Sequence, residues 1–267
     1  MLRDITLGQY FPGDTVVHRL DPRTKILMVV VYLVALFTAR GPIPMLVMAA
    51  FLGLIVALSR VKPRLLIRGL RPLIIILTLT GLFNLFSGSG EPLFEIWRLR
   101  ATAEGLFRAL TLISRIVMMV MGTFILTYTT PPMALTDGLE SLMGPLKRIR
   151  VPVHELVIIM GMALRFIPTL IEETDKIMSA QKARGADFES GNIFRRAKAL
   201  IPILIPLFMS AFRRADELAI AMESRCYHGG EGRTRMRALK FAWRDLFTAL
   251  VGAGLLTLVF LLRGVGI

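Results

Sequence analysis

Cysteine and histidine are scarce in this sequence of 267 residues, which holds one cysteine and three histidines. The lone Cys226 excludes an internal disulfide and any metal site built from several cysteines. His18, His154 and His228 lie far apart in the chain. The stretch HELVI at His154 begins like a zinc-protease motif but has isoleucine where the second histidine ligand should stand. We therefore expect no metal site and no cofactor.

The sequence also lacks the glycine-rich phosphate loop GxxxxGK(S/T), so the chain is not expected to hydrolyse ATP. Acidic residues are outnumbered, with 19 Asp and Glu against 33 Lys and Arg and a formal net charge of +14. Such a charge can indicate nucleic-acid binding, but in a chain with long apolar runs it more often marks cytoplasmic loops and contact with anionic lipid. We expect neither catalysis nor a nucleic-acid partner.

Long apolar runs predict a polytopic membrane protein. Each run approaches the roughly 20 residues that a helix needs to cross a bilayer, and none has an acidic residue near its middle. The predicted spans are Ile26–Thr38, Ile43–Ser59, Pro72–Ser87, Leu106–Pro131 and Leu246–Leu262. An acidic residue inside a span usually marks an ion or substrate path, so this chain shows no carrying site of its own.

Charge and capping patterns orient the spans. The loop RVKPRLLIRGLR after the second span has five basic residues and no acid, which places it and the N terminus on the cytoplasmic side of the cell membrane. In LDPRTKIL, Asp21 predicts a helix N-cap with Pro22 at the first helical position. The apolar stretches 151–171 and 199–212 have basic residues on both sides, so we interpret them as amphipathic helices at the cytoplasmic face.

The predicted fold is therefore all-α. It has about five transmembrane helices and a cytoplasmic-face domain of one short and two long amphipathic helices. We divide the chain into an N-terminal membrane domain of four spans (1–131), the cytoplasmic helical domain (132–240) and a C-terminal transmembrane helix (241–267). Five crossings with a cytoplasmic N terminus agree with the charge of every loop, and seven crossings would keep the same parity but need two short spans flanked by basic residues.

The two long amphipathic helices are each predicted to end in an arginine between small residues, in QKARGAD and again in MESRCYH 41 positions later. The residues concerned are Ala183, Arg184, Gly185, Ser224, Arg225 and Cys226. An arginine in the last turn of a helix can simply offset the helix dipole and bond open carbonyls. Between small neighbours it also protrudes, and its planar guanidinium can make two parallel bonds to a carboxylate in an acidic groove. Two such tips predict two grooves, which a pair of like subunits would supply.

The N-terminal GQYFPGDTVVHRLDPRTK, the five spans, the helical insert and the motifs ARG and SRC resemble the transmembrane T component of energy-coupling factor (ECF) transporters. The resemblance covers essentially the whole chain. It implies a non-catalytic scaffold that joins two cytoplasmic ATP-binding subunits to one substrate-binding membrane subunit, the S component, for uptake of a vitamin or metal ion. Arg184 and Arg225 would each enter a groove of one ATPase, at the tips of two coupling helices. The apolar faces of those helices would hold the S component through Ile171, Thr174, Met178, Leu207, Ala211 and Leu218.

Two other interpretations stay open from the residues. A conventional ABC importer permease would also dock ATPases, but it would form the pathway between two copies and is expected to have one coupling helix per chain. A membrane enzyme could instead use the basic helices to hold the head group of an anionic lipid. The sequence does not identify the transported substrate, because the S component would select it.

Overall fold

The computed structural model describes residues 10–86, 92–96, 99–188, 190, 192–229 and 239–265. The described helices are α1 (Pro22–Thr38), α2 (Pro42–Ser59), α3 (Pro63–Leu70), α4 (Ile74–Phe86), α5 (Ala103–Thr129), α6 (Pro132–Leu142), α7 (Val153–Ala183), α8 (Ile193–Glu223) and α9 (Trp243–Val265). Short 3₁₀ turns occupy Arg71–Leu73 and Gly144–Ile149. The predicted helical class is confirmed, apart from one small hairpin.

That hairpin lies between α4 and α5, in the segment that separates the third and fourth predicted spans. Strands β1 (Pro92–Ile96) and β2 (Leu99–Thr102) pair antiparallel, with Ile96 opposite Leu99. Strands of five and four residues are too short to show a distinctive hydrophobic period, which is why the pattern did not reveal them. Thr102 then caps α5, because its hydroxyl accepts a hydrogen bond from the amide of Gly105 at 3.1 Å.

Within the part of the chain that the structure describes, five helical stretches are long and apolar enough to cross a membrane. They are Pro42–Ser59, Pro63–Phe86, Ala103–Thr129, Val153–Ala183 and Trp243–Arg263. The set differs from the predicted spans in two members. Helix α1 has 17 residues and falls just short, whereas α7 has the length and composition of a span despite its basic flanks. The multi-pass membrane class is confirmed, and the placement of α7 at the cytoplasmic face stays a prediction.

The basic segment after α2, predicted as a loop, is helical over α3. The helix begins at Pro63, whose fixed φ suits a first helical position. Leu66 is fully buried while Arg64 and Arg68 are exposed, so α3 is amphipathic. The apolar side of α3 thus joins the protein core and its cations stay outside.

One compact unit comprises residues 8–139 and 239–267, and its core lies where α1, α2, α5 and α9 pack together. The core is built from Tyr32, Ala35, Leu36, Ala39, Met45, Met48, Leu52, Val61, Leu66, Met118, Ile125, Tyr128, Leu255 and Val259. Glycines allow the helices to approach closely. A Cβ at Gly252 of α9 would lie 2.5 Å from the sulfur of Met28, and one at Gly122 of α5 would lie 2.8 Å from the Tyr32 ring.

A buried polar junction ties the start of α1 to α5 and α9. The predicted cap is confirmed, since the Asp21 carboxylate accepts from the amide of Arg23 and proline follows it. Lys25 Nζ donates to the carbonyl of Thr129 at 2.9 Å. The carboxylate of Asp245 accepts from the amides of Asp21 at 2.9 Å and of Ala242 at 2.8 Å. The segment HRLDPRTK, which carried the resemblance, therefore has a structural task in this unit.

The other compact unit comprises residues 140–238, of which the structure describes most up to 229. Its main elements are α7 and α8, each 31 residues long, which pack against one another. Pro168 lies inside α7, and Pro202 and Pro206 lie inside α8. The paired arginine motifs stand at the C-terminal ends of these two helices.

Candidate partner-docking site

Helix α7 ends in a Schellman motif that places Arg184 at the C-cap. The amide of Ala186 donates to the carbonyl of Gln181, and the amide of Gly185 donates to the carbonyl of Lys182, both at 3.0 Å. These two bonds define the motif. Gly185 has φ +85°, a conformation that glycine adopts without the steric penalty of a side chain. The glycine after the arginine is therefore explained by the backbone.

Helix α8 ends in the same way, with Arg225 at the equivalent position. The amide of Tyr227 donates to the carbonyl of Met222 at 3.1 Å, and the amide of Cys226 donates to the carbonyl of Glu223 at 2.9 Å. Cys226 takes the left-handed place of the glycine, with φ +56°. Both motifs thus give one backbone shape at both tips.

The geometry weakens the simplest explanation of the two arginines, which is that each bonds the open carbonyls of its own helix end. In both motifs backbone amides already occupy carbonyls of the last turn. All six predicted docking residues, 183–185 and 224–226, are exposed. Neither the Arg184 nor the Arg225 guanidinium has a hydrogen bond or an ion pair with the residues that the structure describes. Each is free to bind an external carboxylate.

The two helices meet at positions that the internal repeat makes equivalent. Arg214 of α8 donates to the carboxylate of Glu173 of α7 at 3.0 Å, and the hydroxyl of Ser210 also bonds that carboxylate. Glu173 and Arg214 are 41 positions apart, the same separation as Arg184 and Arg225. Equivalent residues meet in this way on a two-fold axis. In a true dimer identical charges would face each other there, whereas Glu173 and Arg214 carry opposite charges.

The crossing also fixes how far apart the tips can lie. Each arginine follows the crossing residue of its helix by eleven positions, an arm of about 16 Å at 1.5 Å per residue. The connection from Arg184 to Ile193 can span at most about 30 Å. The part of α8 that precedes Arg214 is also about 30 Å long, so Ile193 lies about 30 Å from the crossing, at the end of α8 opposite Arg225. For straight helices, the α7 tip would therefore point toward the start of α8, and the two tips would lie about 25–35 Å apart.

Comparison with known proteins identifies the family. A family model described as CbiQ, cobalt transport protein, matches residues 13–236. The energy-coupling factor transporter transmembrane protein EcfT of Thermosediminibacter oceani is 53% identical over 255 residues, which is 96% of each chain. EcfT of Acidaminococcus fermentans is 51% identical over 98% of each chain, and EcfT of Lactococcus lactis subsp. cremoris is 45% identical over 91% of this chain and 92% of its own. The chain belongs to the EcfT family. The resemblance seen in the sequence is confirmed, and the chain is a transmembrane component of an ECF transporter.

In this EcfT-family chain the six residues predicted to contact the S component are all half-buried. Leu207, Ala211 and Leu218 share the side of α8 that holds Arg214, the side turned toward α7. On α7, Ile171, Thr174 and Met178 lie roughly 100–160° around the helix axis from Glu173, so they are not on the side that meets Arg214. The three α8 residues are therefore partly covered within the helix pair, whereas the three α7 residues face away from the Glu173–Arg214 contact. A role in binding the S component stays a prediction.

A more exposed apolar surface lies on α8 beside that stripe. Phe208 and Phe212 are 61% and 63% exposed, and their rings stack with centroids 6.3 Å apart. Ile205 and Met209 are exposed to a similar degree. The residues predicted to contact the S component do not include this ring pair. The sequence does carry a sign of this second surface, because the apolar residues of α8 lie on more than one face of the helix.

The histidine of HELVI has a structural partner. His154 near the start of α7 lies 3.1 Å from the carboxylate of Glu140, measured from Nδ1, and the two can share a proton. The described parts of the chain hold no group of three or more His, Cys, Asp or Glu residues that could bind a metal ion. The arrangement ties α7 to the end of α6.

Proposed function

We propose that this EcfT-family chain couples two cytoplasmic ATP-binding subunits to one S component, so that ATP-driven motion of the ATPases drives uptake of a vitamin or a metal ion. The observation that carries the proposal is the pair of identical Schellman caps, each presenting a free arginine, placed around a pseudo-two-fold crossing. Two ATPases related by a two-fold axis would offer two equal grooves. The two tips match that arrangement within one chain.

Docking would rest on charge-assisted hydrogen bonds. Each exposed guanidinium can make a bidentate pair with a carboxylate in a groove, and burial of that pair by the partner strengthens it. Lysine presents a point charge without the planar fork, so it would dock more weakly. Small residues on either side of each arginine leave room for the walls of the groove. They are Ala183 and Gly185 at one tip and Ser224 and Cys226 at the other.

The crossing would transmit the motion. When the ATPases close on ATP, the tips move together or apart, and each helix acts as an arm of about 16 Å that turns about the Glu173–Arg214 contact. The faces near the crossing change their angle at the same time. The S component would contact the half-buried stripe of Ile171, Thr174, Met178, Leu207, Ala211 and Leu218, together with the ring pair on α8. Rotation of this surface would tilt the S component and release its cargo inside.

The test is retention of the ATPase pair by the complex purified with Arg184→Ala, Arg225→Ala or both. Each single change should weaken docking by about 2–5 kcal/mol, and lysine at either position should restore it only in part. Arg213→Ala is the matched control, because Arg213 is an exposed cation on α8 away from the tip. Full retention of the ATPases by the double alanine variant would refute arginine docking.

Two further measurements separate the remaining parts of the proposal. Phe208→Asp should release the S component while both ATPases remain bound, whereas simultaneous loss of all partners would indicate misfolding. The mass of the purified complex should correspond to one copy of this chain with two ATP-binding subunits. Two copies of the chain would instead favour a conventional ABC importer permease.

A further inference from the structure

Two neighbouring cavities, one apolar and one bordered by two cations, lie in the unit formed by residues 8–139 and 239–267. The first is a groove of about 390 Å³ with almost entirely apolar walls. Leu54, Ile55 and Leu58 of α2 form one side, and Val16 and Val17 of the segment before α1 form another. The groove also reaches α5 and the first turns of α9.

The second cavity, of about 480 Å³, is lined by Arg60 and Lys62. Consecutive residues line the two cavities: Leu58 belongs to the groove and Ser59 to the basic cavity, while Val17 belongs to the groove and His18 to the basic cavity. The groove and the basic cavity therefore lie next to one another. An apolar groove thus lies beside a cavity bordered by cations, which is called the mouth below.

The cations of the mouth are available to a ligand. Arg60 and Lys62 are exposed and form no ion pair with any residue that the structure describes. Asp14 is the acid at this cavity, and Arg19 donates to both of its oxygens at 2.6 and 2.5 Å. Those hydrogen bonds, with the charge of Arg19, hold the pKa of Asp14 below its ordinary value. The mouth thus keeps a net positive charge.

We propose that one anionic phospholipid occupies this pair of cavities, with an acyl chain in the groove of α2 and its phosphate at Arg60 and Lys62. The groove has the volume of only about one turn of a helix 10 Å across, so it suits a flexible chain better than a partner helix. The end of α2 is on the side predicted to be cytoplasmic, where anionic head groups are enriched. Apolar walls next to unpaired cations match both halves of such a lipid.

The experiment uses the full chain in its native complex and phosphatidylglycerol with a photoactivatable group in the acyl chain. Cross-linked peptides should map to residues 51–58 and 16–20. Arg60→Gln with Lys62→Gln should lower the labelling about tenfold or more, because each cation near an anionic lipid surface contributes about fivefold. Arg64→Gln with Arg68→Gln is the matched control, since these exposed cations of α3 line neither cavity and should change labelling less than twofold.

A second variant guards against an effect on folding. Leu58→Trp fills the groove but keeps both cations, and it should remove the labelling at 51–58 while the complex still assembles. Photoactivatable phosphatidylcholine should label the same peptides weakly and without dependence on Arg60 and Lys62. The proposal is overturned if both pairs of glutamine substitutions lower labelling equally, which would indicate diffuse attraction. Peptides cross-linked elsewhere, or a partner subunit cross-linked in place of 51–58, would overturn it as well.

Discussion

The stability of the contact at which α7 crosses α8 should depend on whether its two side chains carry opposite charges, and not on which helix carries which charge. Glu173→Arg or Arg214→Glu by itself places like charges at the crossing, while the double exchange restores an opposite pair in reversed order. Because the two positions are equivalent in the repeat, the exchanged pair meets in nearly the same geometry. Each single variant should loosen the crossing, and the double variant should restore it.

The expected energies follow from distance and exposure. The Arg214 and Glu173 side chains are 35% and 24% exposed at a separation of 3.0 Å, so the native pair should contribute about 1–2 kcal/mol. Two like charges held about 4 Å apart in a partly screened site would repel by about 4 kcal/mol. Long side chains can turn into water and relieve part of that repulsion. We expect a penalty of about 2–3 kcal/mol for each single reversal and under about 1 kcal/mol for the double.

The distance between the tips reports the state of the crossing. Cys226 is the only cysteine and is exposed at the α8 tip, so one spin label can be attached to it and a second to Ala183→Cys at the α7 tip. Pulsed electron spin resonance in lipid nanodiscs should give a distribution near the 25–35 Å expected for straight helices, lengthened by the two labels. Single reversals should broaden it, and the double reversal should narrow it again.

Glu172→Arg with Arg213→Glu provides the control one position earlier on each helix, where both side chains are exposed. These changes should have small and additive effects. The reasoning is refuted if the double exchange at the crossing broadens the distribution as much as both single reversals together. A tip distance well below 20 Å in the native sequence would show that the arms do not diverge.

Other predictions test the tips and the membrane unit. Gly185→Val forces a branched side chain into φ +85° and should cost about 1–2 kcal/mol and weaken retention of the ATPases in a pull-down, whereas Cys226→Gly should retain them fully. Asp245→Ala leaves the buried amides of Asp21 and Ala242 without their acceptor, so the midpoint of thermal unfolding should fall by roughly 5–10 °C. An unchanged midpoint would mean that water replaces the carboxylate.

Local patterns predicted what depends on a few neighbouring residues. Asp21 followed by Pro22 specified the start of α1, and the structure has that cap. The charge of the residues after α2 predicts a loop, yet these residues form α3, in which Leu66 is fully buried. Membrane placement of α7 was judged from flanking charge, while its length and composition also fit a span. The basic residues on both sides of α7 indicate a helix at the cytoplasmic face, whereas its apolar length indicates a transmembrane span.

The sequence by itself determined the membrane class, the family and the two arginine motifs. Long apolar runs and short repeated motifs depend only on residues that are close together in the sequence. Only the tertiary structure decided that Glu173 meets Arg214, and that the six residues predicted to contact the S component are half-buried while Phe208 is exposed. Helical periodicity gives the direction of a side chain about its own axis. It does not say which neighbouring helix covers that direction, since this depends on how the helices pack.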